Sequence, residues 1–161
     1  MPAKPNPIVS YLTVSDGPAA IDFYKKAFGA KEVARHKAED GKRLMHAEVV
    51  FNGHSVYLCD DFPEWTGGRT PEKFGGTAVT MHLNLPKPKD VDAWMARAVK
   101  AGGKVTMEVA DQFWGDRYGR MTDPFGHDWG FGSPLPKPKA KAKPKKAAKK
   151  APAKKTKAKR R

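Results

Sequence analysis

The chain has 161 residues and a formal net charge of +14, which is room for one ordinary domain. The charge is not spread evenly. Residues 1–133 carry 17 basic and 17 acidic side chains, which cancel, whereas residues 134–161 carry 12 Lys, 2 Arg and no acid. The first 133 residues therefore read as a balanced globular domain, and only the basic segment argues for an anionic partner. One cysteine, Cys59, excludes a disulfide within the chain and suits a reducing compartment. The start, Met1–Pro7, lacks the apolar run of a signal peptide, and no stretch approaches the roughly 18 apolar residues of a membrane span. The expectation is a cytoplasmic protein.

A first strand is expected at Ile8–Val14. Ser15-Asp16-Gly17-Pro18 reads as a helix start, with a capping side chain followed by Pro in the first turn. Ile21, Tyr24 and Phe28 fall at i, i+3 and i+7, one apolar stripe, and Gly29 stops the helix. Asn52-Gly53, between two β-rich runs, reads as a two-residue hairpin turn. Such a turn fixes the register. It groups Ala47, Val49, Phe51, Val56 and Leu58 on a face to be buried, and His46, Glu48, Ser55, Tyr57 and Cys59 on a mixed polar face.

Residues 61–77 are rich in Gly and Pro and read as a linker. The plan then repeats. Ala78–Leu85 alternates like a strand, Pro88–Ala101 is helical with Gly102-Gly103 as its stop, and Val105–Val109 is a short strand. Arg117–Thr122 and Asp128–Gly132 flank the turn sequence Asp123-Pro124-Phe125-Gly126. Two copies of one supersecondary unit, at about 6–60 and 78–133, imply an α+β domain of pseudo-symmetric halves round a shared cleft.

From Pro136 the composition narrows to Lys, Ala, Pro, one Thr and Arg, which buries no apolar surface, so a disordered tail is expected. Its cations are Lys137, Lys139, Lys141, Lys143, Lys145, Lys146, Lys149, Lys150, Lys154, Lys155, Lys157, Lys159, Arg160 and Arg161. They suit non-specific nucleic-acid contact through phosphates, and hence nucleoid association. The tail holds no aromatic residue for stacking on bases.

The runs Ala20-Ile21-Asp22-Phe23-Tyr24-Lys25-Lys26-Ala27-Phe28-Gly29-Ala30, Met45-His46-Ala47-Glu48, Trp114-Gly115-Asp116-Arg117-Tyr118-Gly119-Arg120 and Asp123-Pro124-Phe125-Gly126-His127 carry a resemblance. Residues 6–133 resemble the PhnB-like branch of the vicinal oxygen chelate superfamily, which holds glyoxalases, bleomycin-resistance proteins and extradiol dioxygenases. The resemblance implies two βαβββ modules whose curled mixed sheets surround a cleft. It also implies metal-ligand positions on the first and last strand of each module, which fall here at Val9, Tyr57, Thr80 and Gly130. None is His, Glu or Asp, and a divalent ion needs three or four N, O or S donors, so no metal and no cofactor is expected.

The hairpin register and strand parity bring Tyr11, His46, Glu48, Tyr57 and His82 towards the cleft as ligand-contacting candidates. Arg117, Tyr118 and Arg120 join them, because a guanidinium fork suits an anion. Phe62, Trp65, Phe113 and Trp114 lie in loops and offer either a lid or packing surface. Three functions stay open. The first is a metal-independent small-molecule binder, expected as a homodimer. The second is a lyase or dioxygenase-type enzyme with a rearranged divalent-metal site. The third is a DNA-associated dimeric scaffold.

Overall fold

The computed structural model describes residues 8–136. The tail expected from residue 134 begins later, because Pro134 still pairs with Asp116 in a strand and Leu135 N donates to Gly115 O at 2.8 Å; residues 137–161, with the fourteen cations, lie outside the described residues. The first module runs β1 (Ser10–Val14), α1 (Gly17–Phe28), β2 (Lys31–Lys37), β3 (Leu44–Phe51) and β4 (His54–Asp60). A short helix α2 (Pro63–Thr66) and a 3₁₀ turn (Pro71–Phe74) cross to the second module. That module runs β5 (Thr80–Asn84), α3 (Pro88–Ala101), β6 (Lys104–Asp111), β7 (Asp116–Thr122) and β8 (Asp128–Pro134). Each module is a βαβββ unit with its own four-stranded mixed sheet. The two strand orders, β1-β4-β3-β2 and β5-β8-β7-β6, are equivalent.

Local chemistry explains the boundaries. Asp16 caps α1 by accepting from Ala19 N at 2.9 Å, and Gly29 ends the helix in the left-handed region at φ 67°. At the β3–β4 turn both Asn52 (φ 48°) and Gly53 (φ 77°) have positive φ, as a type I′ turn requires. The pairs Ala47↔Leu58, Glu48↔Tyr57, Val49↔Val56 and Phe51↔His54 follow from it. Ala47, Val49, Phe51, Val56 and Leu58 are all buried. The sequence pattern does not announce β2, because it is an edge strand without apolar alternation.

The helix-side faces of both sheets share one core. Helix α1 packs on α3. Phe28 reaches across the modules to Trp129 (ring centroids 4.9 Å apart), Trp94 (5.9 Å) and Phe131 (5.9 Å), and Phe51 meets Trp129 at 5.7 Å. Aromatic side chains bury on the order of 150–250 Å² each, roughly 4–6 kcal/mol of apolar transfer before the opposing conformational entropy. This clustering sets how the modules pack. The other face of each sheet is turned from this core, and at the seam between β4 and β5 a cavity of about 360 Å³ is lined by Ser55 of the first sheet's outer face and by Thr80 and His82 of the second's. Among the described residues, no helix is long and apolar enough to cross a membrane.

Candidate functional site

The outer face of the first sheet gathers four of the expected residues. β1 lies parallel to β4 and sets Tyr11 beside Tyr57 and Thr13 beside Cys59. The Tyr11 hydroxyl lies 2.9 Å from His46 Nδ1. The Tyr57 ring stands edge-on to Tyr11 at 5.8 Å and to His46 at 5.0 Å, and His36 adds a further ring 5.9 Å from His46. Glu48 accepts from the Ser55 hydroxyl at 2.5 Å. Burial pushes the Tyr11 hydroxyl and the Cys59 thiol above their ordinary values, so both keep their protons at neutral pH. Tyr11 is therefore a hydrogen-bond donor rather than a base. The face presents flat π-surfaces with polar tips, chemistry that suits a planar, partly polar ligand.

The outer face of the second sheet is built on glycines. The His82 ring stacks on Tyr118 with centroids 5.7 Å apart and planes 15° from parallel. Tyr118 lies over Gly130, and His82 lies over Gly132; a Cβ at either glycine would fall 2.7 Å from a ring substituent or ring atom. His82 Nε2 and Asn84 Oδ1 are 3.1 Å apart. Arg120 donates from Nη2 to Thr80 Oγ1 at 2.7 Å and to Asp128 Oδ2 at 3.0 Å. Trp114 flanks Tyr118 at 5.9 Å, so this loop aromatic adjoins the face.

Arg117 departs from the expectation. It shares parity with the buried Gly119 and Met121, and its guanidinium reaches α3, donating to Asp92 at 2.5 and 2.7 Å and to Asp111 at 2.9 Å. Those carboxylates hold the guanidinium above its ordinary value, while Asp92 is drawn below the usual carboxylate range. The Arg117–Arg120 run thus divides. Tyr118 and Arg120 face outward, and Arg117 ties β7 to α3. The other loop aromatics divide as well. Phe62 is buried, stacked on Trp65 at 4.8 Å and under the Arg43 guanidinium, whereas Phe113 projects from the β6–β7 turn. Among the described residues, no hydrogen bond, ion pair or ring contact joins the Tyr11–His46–Tyr57 set to the His82–Tyr118–Arg120 set.

The four positions at which the resemblance implies metal ligands do not fit a divalent ion. Val9 and Gly130 offer no side-chain donor, Thr80 is engaged by Arg120, and Tyr118 fills the space above Gly130. Among the described residues, no group of three or more His, Cys, Asp or Glu lies placed to hold a metal. Thr13, Asn84 and Asp128 also stand at these faces, outside the residues expected from the sequence. Ordinary strand parity carries the only signal for them, and it becomes usable once the pairing is fixed.

Known proteins share this architecture. The family described as the Glyoxalase/Bleomycin resistance protein/Dioxygenase superfamily matches residues 4–131. An uncharacterised protein of Mycobacterium bovis is 50% identical over 127 residues, spanning 78% of this chain and 81% of that one. The crystal structure of an Arabidopsis thaliana gene product is 32% identical, with a TM-score of 0.61 over 78% of this chain and 97% of that one. A Bacillus cereus structure named as a putative methyltransferase and PhnB protein shares the fold at 16% identity, with a TM-score of 0.63 over 80% and 99% of the two chains. With its paired βαβββ modules and this match across both, the chain belongs to the glyoxalase/bleomycin-resistance/dioxygenase superfamily.

Proposed function

We propose that this chain is a PhnB-like, metal-independent small-molecule binder that works as a homodimer. The observation that carries this reading is the outward aim of two ligand-like faces. Each presents aromatic rings with polar tips, and Tyr11 on one and His82 on the other are exposed among the described residues. Tyr11 is 51% exposed and Trp114 48% exposed, which is apolar surface that a partner covers favourably. A second copy that brings its His82–Tyr118–Arg120 face to the Tyr11–His46–Tyr57 face encloses both sets of rings in one cleft. The PhnB-like branch is read from the quoted motifs, and the Bacillus cereus protein supports it at the level of fold alone.

Metal analysis of the purified protein, light scattering and a small-molecule thermal-shift screen test the reading together. The expected results are no stoichiometric Zn²⁺, Ni²⁺, Fe²⁺ or Mn²⁺, a mass near twice 17.7 kDa, and hits that shift the melting temperature. About one metal per chain, lost in His46→Ala or His82→Ala, would instead favour a lyase or dioxygenase-type enzyme with a rearranged metal site.

A second reading concerns residues 134–161, whose fourteen cations and absent acids favour non-specific contact with nucleic acid. A dimer that bound DNA and gave no small-molecule hit would fit a DNA-associated scaffold.

A further inference from the structure

The linker does more than connect the modules. With β1 it lines a cavity of about 440 Å³, within the usual range for small ligands. Tyr11 and Thr13 of β1 line it together with His127 from the β7–β8 turn. Thr66, Arg69, Phe74 and Thr77 of the linker complete the wall. Among the described residues no carboxylate lines this cavity, and Asp61, which adjoins its lining, is engaged by the main chain of Arg69 and the hydroxyl of Thr66. The cavities beside Lys25 and beside Arg43 differ, because each carries acids among its bases.

Arg69 is the distinctive group. Arg35, Arg43, Arg117 and Arg120 each pair with a carboxylate, and Arg97 lies over the Trp94 ring. Among the described residues, the Arg69 guanidinium has neither an acid nor a ring as partner. Its main chain is nevertheless held. Arg69 N donates to Asp61 Oδ1 at 3.0 Å, and both neighbours, Gly68 and Thr70, are buried. The following Pro71 is buried against Gly126 so closely that a Cβ there would fall 2.7 Å from it. An arginine with a fixed backbone and a free fork at a cavity that no carboxylate lines is preorganised for an anion. A merely solvated surface arginine needs no such anchoring.

We propose that Arg69 and the linker form a binding site for a small organic anion. The carboxylate or phosphate sits on the Arg69 guanidinium, the flat or apolar body lies between Tyr11 and Phe74, and the Tyr11 hydroxyl donates to a polar atom of that body. The site shares Tyr11 with the outer face of the first sheet and deepens the small-molecule reading by naming a ligand class.

The test is an amide-resolved NMR titration of the full chain with benzoate and with phenyl phosphate, using benzamide and benzamidine as neutral and cationic comparators. Saturable shifts at Arg69, Thr77 and His127 are expected for the two anions, with Kd on the order of 1 mM. Arg69→Ala should weaken them about tenfold or more, and Arg69→Lys should restore part of the loss, because a point charge replaces the fork. Shifts confined to the basic C-terminal segment, equal affinity in Arg69→Ala, or equal binding of benzamidine would each overturn the proposal. Arg69 is exposed, so the variant's fold is checked in the same spectra. Thermal-shift ligands whose affinity ignores Arg69 would overturn this site while leaving the small-molecule reading standing.

Discussion

Tyr24 Oη donates to Asp123 Oδ2 at 2.8 Å, and this buried bond ties the helix of the first module to the β7–β8 turn of the second. Asp123 also accepts from Trp129 Nε1 at 2.9 Å, from Phe125 N at 2.9 Å and from His127 N at 3.0 Å. Burial, reinforced by the Asp123 charge, pushes the Tyr24 hydroxyl well above its ordinary value, so it remains a donor across the working pH range. Tyr24→Phe removes one of four donors to a buried carboxylate and should cost about 1–3 kcal/mol. Asp123→Ala strands all four and should cost more, on the order of 3–5 kcal/mol. Urea midpoints at unchanged slope would measure both. A smaller loss for Asp123→Ala than for Tyr24→Phe would show that the carboxylate is not the node.

Gly130 gives a second prediction. A methyl group there falls 2.7 Å from Tyr118 Oη and 3.2 Å from two ring carbons. Gly130→Ala should therefore destabilise by about 1–3 kcal/mol through overpacking. Removing the nearest atom in Tyr118→Phe should relieve part of that, with a coupling above about 0.5 kcal/mol in the double-mutant cycle. Strict additivity would mean that the ring does not lie over Gly130.

Acid stability should depend in part on Glu32. Hydrogen bonds from Arg35 first, and from Lys25 of α1, hold its carboxyl down at about 2 against an ordinary 4.5. The folded state binds the proton less readily than the unfolded state. The contribution is thus present above about pH 4.5 and lost as pH falls towards 2. Solvent screening keeps it within the roughly 0.2–1 kcal/mol of partly exposed pairs. Glu32→Gln should lower the urea midpoint at pH 7 and narrow its gap to the wild type near pH 2.5. A gap that stayed constant with pH would count against the ion pairs.

The β3–β4 face was legible because one two-residue turn, Asn52-Gly53, fixes the parity of the strand positions on either side of it, His46, Glu48 and Tyr57 among them. The facing of Arg117 was not legible. The connection from Thr122 to Asp128 is longer than a two-residue hairpin loop, and only the observed pair Thr122↔Asp128 settles which of its neighbours point to α3. The packing of the two modules was hidden for a different reason. Strand alternation says which residues leave water but not whose aromatic ring they meet, and the contacts of Phe28 and Phe51 with Trp129 decide that. Arg69 left no pattern at all, because a linker rich in Gly and Pro carries no periodicity to read.

The basic segment gives the last prediction. Deleting residues 137–161 should leave the melting temperature nearly unchanged, because the buried cluster lies within residues 12–131. The same deletion should abolish binding to duplex DNA, because the acids and bases of residues 1–133 cancel and leave no net attraction for phosphate. The intact chain should bind DNA of any sequence about equally, since lysines contact phosphates and within the basic segment only Arg160 and Arg161 carry a fork able to read base edges. Affinity should fall steeply between roughly 50 and 200 mM salt as counterions are released. Fluorescence-anisotropy titrations of both forms at two salt concentrations measure this directly. Equal binding by the truncated form would place the contact on the folded domain, and no binding by either at low salt would leave the segment a role in solubility alone.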